Sequence, residues 1–154
     1  MIRLIAIGRL SSGPEADLFQ RYVVRLRPKL ALTELADGRG SAREIKQKET
    51  AALLAALPRD AFAVALDLGG HVLPTEDFAA RVEQWAAAAR PLCFLIGGAE
   101  GLGQAVIDRA DFVLSLGKMT WPHILVRVML VEQLYRAQAM MAGHPYHRAG
   151  RPGD

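Results

Sequence analysis

One stretch of sequence decides the fold, and it reads Phe112-Val113-Leu114-Ser115-Leu116-Gly117-Lys118-Met119-Thr120-Trp121-Pro122-His123-Ile124-Leu125-Val126-Arg127. Its first five residues form an apolar run typical of a buried strand, and the run breaks at Gly117. Thr120 is then predicted to cap a helix that has Pro122 in its first turn and extends to about Met141. A strand that leads through a short loop directly into a helix is where open α/β sheets place their ligand sites.

The length and composition predict one compact α/β domain. The chain has 154 residues, of which 51% are hydrophobic, and its net charge is +3. We expect a single domain over residues 1–148 and a disordered tail at 149–154. No apolar run approaches the length of a membrane span, no signal-peptide pattern is present, and the single cysteine excludes an internal disulfide. A cytoplasmic protein without a membrane contact or a metal ion is therefore predicted.

Strand and helix patterns alternate along the rest of the chain. Strands are predicted at residues 2–8, 30–36, 61–67, 92–96 and 111–116. Helices are predicted at residues 14–27, 42–57, 75–89 and 103–108, followed by the last helix. Ser41 and Glu44 have the spacing of a capping box at the start of the second helix. This alternation favours a mostly parallel sheet with helices on both faces.

Three predicted strands end in candidate binding loops, at residues 66–70, 96–98 and 116–121. Glycine allows a backbone to approach a ligand closely, because it has no Cβ. Each loop alone also fits an ordinary turn at a strand end, but three such loops together favour a shared pocket. Neither a G-x-G-x-x-G fingerprint nor a P-loop pattern is present, so a pyrophosphate cradle is not expected. The apolar and mostly neutral loops suit an adenosine instead.

Five linked motifs carry a resemblance to a known family. They are Leu95-Ile96-Gly97-Gly98-Ala99-Glu100-Gly101, Leu116-Gly117-Lys118-Met119-Thr120-Trp121-Pro122-His123, Leu125-Val126-Arg127-Val128, Glu132-Gln133-Leu134-Tyr135-Arg136-Ala137 and His144-Pro145-Tyr146-His147-Arg148. In order and spacing the chain resembles the RlmH family of SPOUT-class knotted methyltransferases, which methylates a pseudouridine in large-subunit ribosomal RNA. Two departures are visible. Gly117 stands where the family often has Ser, and residues 149–154 extend past the usual end.

The resemblance implies a fold, a cofactor and a partner. It implies a C-terminal trefoil knot and S-adenosylmethionine as the cofactor, with contacts at Leu66, Gly97, Leu116, Gly117, Lys118, Met119, Thr120 and Trp121. It implies that the target is N3 of a pseudouridine in 23S ribosomal RNA, reached in the large subunit or the assembled ribosome. It also implies a homodimer with its sites at the interface.

Methylation of an imide nitrogen requires that its proton be removed or its conjugate base be stabilised. The candidates for this chemistry are His123, Arg127, His144, Tyr146 and His147. His123 and Arg127 are four residues apart and therefore share a helix face, although a structural hydrogen bond and an ion pair would also account for them. The family uses the tail at the target site, which favours Tyr146 or His147. The residues alone leave the proton acceptor open.

Charge and helix patterns suggest the partners. Residues 21–49 contain eight Lys or Arg and four acidic residues, a local balance of +4. This segment fits either an RNA contact or an ordinary solvated helix face, and it fits a non-catalytic RNA-binding module as well as an enzyme. The last helix is apolar around more than one stripe, so it needs partners on two sides. A two-fold copy is the simplest second partner.

Overall fold

A computed structural model describes residues 1–148 of the chain. The elements in order are β1 (Ile2–Ile7), α1 (Pro14–Val23), β2 (Leu30–Leu35), α2 (Ala42–Ala56), β3 (Phe62–Val72), α3 (Thr75–Ala87), β4 (Leu92–Ile96), α4 (Gln104–Arg109), β5 (Phe112–Ser115) and α5 (His123–Met141). All five predicted strands and all five predicted helices are present. The tail predicted at residues 149–154 lies outside the described residues. No helix within residues 1–148 is both long and apolar enough to cross a membrane.

The five strands form one sheet in the order β2-β1-β4-β3-β5, and every neighbouring pair is parallel. Helices α1, α3 and α5 pack on one face, where Phe19, Trp85 and Leu134 belong to the larger core cluster. Helices α2 and α4 pack on the other face through Leu53 and Val106. The predicted α/β sheet with helices on both faces is therefore confirmed.

The loop predicted after the third strand is wrong, because β3 continues to Val72. Its pairing with β5 is interrupted, since both Leu66 and His71 lie opposite Leu114. The chain between Leu66 and His71 therefore bulges out and then rejoins the sheet. Such irregularities re-aim side chains at functional sites.

Close packing explains why the chain can rejoin the sheet. A Cβ on Gly70 would lie 2.7 Å from the carbonyl oxygen of Val113 in β5, so only glycine fits there. The ring of His71 stacks on Phe112 with centroids 5.1 Å apart. His71 is exposed, but it lies in β3 and packs its ring on β5.

Two predicted helix boundaries are corrected. Thr120 does not cap α5, because Pro122 occupies the N-cap with an extended backbone and makes no side-chain capping bond. A residue before proline is disfavoured in helical geometry, which keeps Trp121 outside the helix. Helix α1 ends at Val23 rather than near Arg27, because the next residues tighten into a turn before Pro28.

The capping box at the start of α2 is confirmed. The Ser41 hydroxyl accepts a hydrogen bond from the Glu44 N–H at 3.2 Å, and the Glu44 carboxylate accepts one from the Ser41 N–H at 3.2 Å. These reciprocal bonds satisfy two N–H groups that a helix start leaves free. They fix where α2 begins and therefore which of its residues face the sheet.

Candidate active site

The candidate site lies where three neighbouring strands end at one edge of the sheet. Strands β4, β3 and β5 are adjacent and parallel, so their carboxyl ends meet there. The loops after β4 and β5, together with the bulged part of β3, enclose a cleft of about 210 Å³. Its lining residues are Leu66, Asp67, Leu68, Ile96, Gly97, Gly98, Ala99, Gly101, Leu102, Leu114, Leu116, Gly117, Met119, Thr120, Trp121, His123 and Val126. The three loops that the sequence predicts to share a pocket therefore lie together.

Most of the predicted cofactor contacts belong to this cleft. Those that line it are Leu66, Gly97, Leu116, Gly117, Met119, Thr120 and Trp121. Lys118 lies in the same loop but is not among the lining residues. Met119 and Trp121 are 72% and 41% exposed, unusually high values for large apolar side chains. Apolar groups are thus presented at the mouth of the cleft.

The loop after β5 is shaped by a glycine and by the side chain of Ser115. Gly117 has φ +114°, a conformation that L side chains rarely adopt. The Ser115 hydroxyl accepts from the Gly117 N–H at 3.2 Å and donates to the Gly117 carbonyl oxygen at 2.9 Å. A Cβ on Gly117 would meet no atom within 4 Å, so glycine is needed here for conformation and not for space.

The loop after β4 is a tight turn in which backbone approaches backbone. The Gly101 N–H donates to the Gly98 carbonyl oxygen at 3.0 Å, and Gly101 has φ +76°. A Cβ on Gly97 would lie 3.0 Å from the Gly101 backbone. The turn therefore presents a compact, nearly side-chain-free wall to the cleft.

His123 and Arg127 occupy different environments, although both point toward the end of β1. A Cβ on Gly8 would lie 3.5 Å from His123 Nε2 and 3.9 Å from Arg127 Nη2. His123 lines the cleft and is partly exposed. Arg127 is fully buried, and its guanidinium is occupied by Glu34 at 2.6 Å and by two backbone carbonyl oxygens. His123 therefore lies in the wall of the cleft, whereas Arg127 is buried in the core and is not among the residues that line the cleft.

The tail docks along α5, away from the cleft of its own chain. The Tyr146 hydroxyl donates to Glu132 at 3.2 Å, and the same carboxylate accepts from Arg136 at 2.6 Å. The Tyr146 ring lies edge-on to Tyr135 with centroids 4.8 Å apart. His144 is exposed and is fixed only through its backbone. Neither Tyr146 nor His147 lines the cleft.

The electrostatics of the tail separate the two proton-acceptor candidates. Burial, the hydrogen bond with Tyr22 and the charge of Glu132 raise the pKa of Tyr146 to about 12. The phenol therefore keeps its proton at neutral pH. His147 Nε2 lies 2.8 Å from Glu76 Oε1, and His147 Nδ1 lies 3.1 Å from Arg136 Nη1. A ring with its proton on Nε2 donates to the Glu76 carboxylate and accepts at Nδ1 from the Arg136 guanidinium.

Sequence reasoning did not single out two acids that organise these regions. Glu132 holds Arg136 and Tyr146, and its i,i+4 spacing to Arg136 is a signal that identifies the pair. Glu34 pairs with Arg127 across the fold and has no local signal. Residues 1–148 contain no cluster of three or more metal-binding side chains.

Comparison with known proteins assigns the chain to a family. The family model described as "Predicted SPOUT methyltransferase" matches residues 1–147. The chain belongs to the SPOUT methyltransferase family. This SPOUT chain is 60% identical over 151 residues to a protein of Gluconacetobacter diazotrophicus named "Ribosomal RNA large subunit methyltransferase H", a match that covers 98% of this chain and 99% of that protein. It is 56% identical to the protein of the same name from Acidiphilium cryptum, covering 98% and 96% of the two chains.

A solved structure has a looser likeness to this SPOUT chain. It is the SpoU methyltransferase AviRb from Streptomyces viridochromogenes in complex with AdoMet, with a TM-score of 0.48 and 14% identity. The match covers 89% of this chain and 57% of that one. The family match confirms the resemblance inferred from the five motifs. The trefoil knot and the roles of individual residues stay predictions.

Proposed function

We propose that this protein is an S-adenosylmethionine-dependent methyltransferase that methylates N3 of a pseudouridine in 23S ribosomal RNA. The observation that carries the proposal is the cleft at the ends of β3, β4 and β5, found in a chain of the SPOUT family. Two further observations support the substrate class: the high identity to large-subunit ribosomal RNA methyltransferases and the basic segment at residues 21–49.

The cleft suits an adenosine held mainly by main-chain atoms. Leu66, Ile96 and Leu116 supply apolar surface, while the glycine turn after β4 supplies backbone groups at close range. When bound, S-adenosylmethionine supplies an electrophilic methyl group. The chain's own contribution is therefore to align this group with the target nitrogen and to exclude water. The predicted trefoil knot would hold the three loops in this arrangement.

His123 is the candidate for contact with the target base. It lines the cleft, and its Nε2 lies beside Gly8, with Asp37 Oδ1 also close to that glycine. A partly exposed imidazole beside the methyl donor is placed to accept the imide proton or to steady the base. Arg127 lies directly behind it, so we assign Arg127 to positioning and not to contact with the uracil oxygens.

We propose that the tail reaches the cleft of a second copy in a homodimer. Within one chain Tyr146 is held at Glu132, which lies nine residues and about 14 Å along α5 from His123. Helices α1 and α3 already cover much of α5. Met119, Trp121 and Leu125 remain exposed near the cleft, which supports an interface there. The partner's tail would then supply Tyr146 and His147 to this site.

The basic segment is proposed to contact ribosomal RNA. Arg39, Arg43 and Lys46 are exposed around the start of α2, where phosphates would be neutralised. Arg27 and Lys48 are less free, because each donates to backbone carbonyl oxygens. The chain has one sheet and no appended RNA-binding unit within residues 1–148. Shape recognition of the assembled particle is therefore proposed.

A methylation assay tests the function. Ribosomal particles from a strain that lacks the modification would be incubated with the protein and methyl-labelled S-adenosylmethionine, and the RNA would be digested and analysed by mass spectrometry. We expect N3-methylpseudouridine at one position of 23S RNA. Particles with uridine in place of that pseudouridine are the matched control. Cofactor binding without any methyl transfer to RNA would favour a different substrate, and neither activity would favour a non-catalytic RNA-binding module.

A further inference from the structure

Glu49 is a buried acid that neither the cleft nor the tail accounts for. Only 3% of the residue is exposed, although it lies in α2, a helix with a largely exposed face. One carboxylate oxygen, Oε2, accepts from the Gly38 N–H at 2.8 Å. The other, Oε1, is buried without a hydrogen-bond partner. A buried unpaired acceptor is costly, so its retention calls for a physical reason.

The unpaired oxygen faces the glycine turn of the cleft from behind. A Cβ on Gly98 would lie 2.8 Å from Glu49 Oε1 and 3.1 Å from Ile7 Cγ2. Gly98 also lines the cleft, so its backbone separates the cofactor space from Glu49. Gly98 is not among the glycines with positive φ, so conformation does not require glycine at this position. The close approach of α2 requires it.

The next residue of α2, Thr50, is hydrogen-bonded to the other end of the same turn. The Thr50 hydroxyl accepts from the Gly103 N–H at 3.0 Å. A Cβ on Gly103 would lie 2.4 Å from that hydroxyl oxygen. Gly103 has φ −73° and ψ 159°, which any residue can adopt. At this end, too, glycine is needed because of α2 and not because of backbone conformation.

We propose that Glu49 and Thr50 are positioning residues that set the turn at residues 97–103 and, through it, the affinity for the cofactor. The Glu49 carboxylate, held by its hydrogen bond from the Gly38 N–H, is a steric stop behind Gly98. The Thr50 hydroxyl holds Gly103 through a hydrogen bond. Together they prevent the turn from receding toward α2 and widening the cleft. The inference rests on the proposed function, because it assigns the cleft to a cofactor.

A compensating pair of substitutions tests the contact. Gly98→Ala places a methyl group against Glu49 and pushes the turn into the cleft, so cofactor affinity should fall at least about tenfold, as overpacking of this kind predicts. Glu49→Ala removes the obstructing carboxylate. In the double variant Ile7 Cγ2, at 3.1 Å, is the close contact left to the new methyl group, so the affinity should recover most of that loss. Gly103→Ala with Thr50→Ala is the second such pair, at the other end of the turn.

Kinetics separate positioning from loss of folding. Glu49→Ala removes the stop, so KM for S-adenosylmethionine should rise while kcat at saturating cofactor is retained. Glu49→Gln keeps the shape of the side chain, so its KM and its melting temperature should both stay near those of the wild type. Gln47→Ala, exposed on the same helix, is the control and should match the wild type. Binding would be measured by calorimetry with S-adenosylmethionine alone.

The outcomes are distinguishable. A wild-type protein that does not bind S-adenosylmethionine would contradict the proposed function itself. A wild-type protein that binds, with single and double variants equally weakened in both pairs and Glu49→Ala indistinguishable from the wild type in KM, would overturn the positioning role alone. Recovery in the double variants would support it.

Discussion

Arg127 and Glu34 form an ion pair between Nη1 and Oε2 at 2.6 Å, although 93 residues separate them in the chain. Arg127 has no exposed surface, and its Nη2 donates to the carbonyl oxygens of Ile7 and Gly8 at 3.0 and 2.8 Å. One guanidinium therefore ties α5 to the ends of β1 and β2. Arg127, one of the residues that the sequence suggested for the target base, lies inside the fold, and its proposed role is to position His123.

Removing Arg127 should destabilise the protein. Arg127→Ala leaves Glu34 without its cation and two carbonyl oxygens without a donor. We expect the free energy of unfolding to fall by about 3 kcal/mol, the lower end for a broken buried pair, because Glu34 keeps access to water. Urea unfolding measures this, with the exposed Arg43→Ala as control. Wild-type stability with lost methylation would instead place Arg127 at the target base.

The same pair predicts a pH dependence of stability. Burial tends to raise the pKa of Glu34, but hydrogen bonds from Arg127 and from the Leu10 N–H outweigh it and lower the pKa below 4.5. A carboxylate with a lowered folded-state pKa contributes stability above its unfolded pKa and loses it as the pH falls through the folded value. Unfolding free energy should therefore drop below about pH 4.5 more steeply in the wild type than in Glu34→Gln. Parallel curves for the two proteins would contradict this.

Tyr146 should act as a hydrogen-bond donor and not as a base. Because its pKa is raised to about 12, it stays protonated across the working range. Tyr146→Phe should slow single-turnover methylation by about tenfold, the effect of one lost hydrogen bond, and by the same factor from pH 6 to pH 9. Cofactor affinity should be unchanged, and Tyr135→Phe, which keeps the neighbouring ring, is the control. A deficit that changes with pH would identify Tyr146 as the proton acceptor.

The strands could be predicted because a strand that is buried on both faces has a continuous run of apolar residues in the sequence. Strand β4 coincides with its prediction at Leu92–Ile96 for this reason. The loops after β4 and β5 were correctly expected to share a pocket, since parallel strands end at one edge, and residues 66–68 line it from within β3 rather than from a loop. The extension of β3 past Asp67 was missed, because glycine and histidine do not signal a strand.

The positions of charged side chains could not be predicted in the same way. Helical spacing placed His123 and Arg127 on one face, and this holds, but it does not say which of them reaches solvent. The burial of Arg127 depends on Glu34, a distant acid with no local pattern. The burial of Glu49 likewise has no local pattern, because Glu49 lies in α2 and its neighbour Gly98 lies in the turn after β4. Tertiary contacts of this kind exist only once the sheet order is fixed.

The proposed homodimer should depend on apolar side chains near the cleft. Leu125 is 38% exposed on the first turn of α5. Leu125→Glu should convert a dimer into a monomer in light scattering at micromolar concentration and should abolish methylation if the partner's tail completes the site. Ala55→Glu, exposed on α2 at the opposite face of the sheet, should leave the mass unchanged. A monomeric wild type with full activity would contradict the shared site.

Titration of the purified chain with S-adenosylmethionine, in the absence of RNA, tests the cleft most directly. The cleft at the ends of β3, β4 and β5 predicts saturable binding of one cofactor per chain. It predicts no binding of ATP, because the loops carry no phosphate-binding pattern. Gly97→Val, which fills the space against Gly101, should weaken the binding. Absence of S-adenosylmethionine binding by the folded wild-type protein would contradict the account.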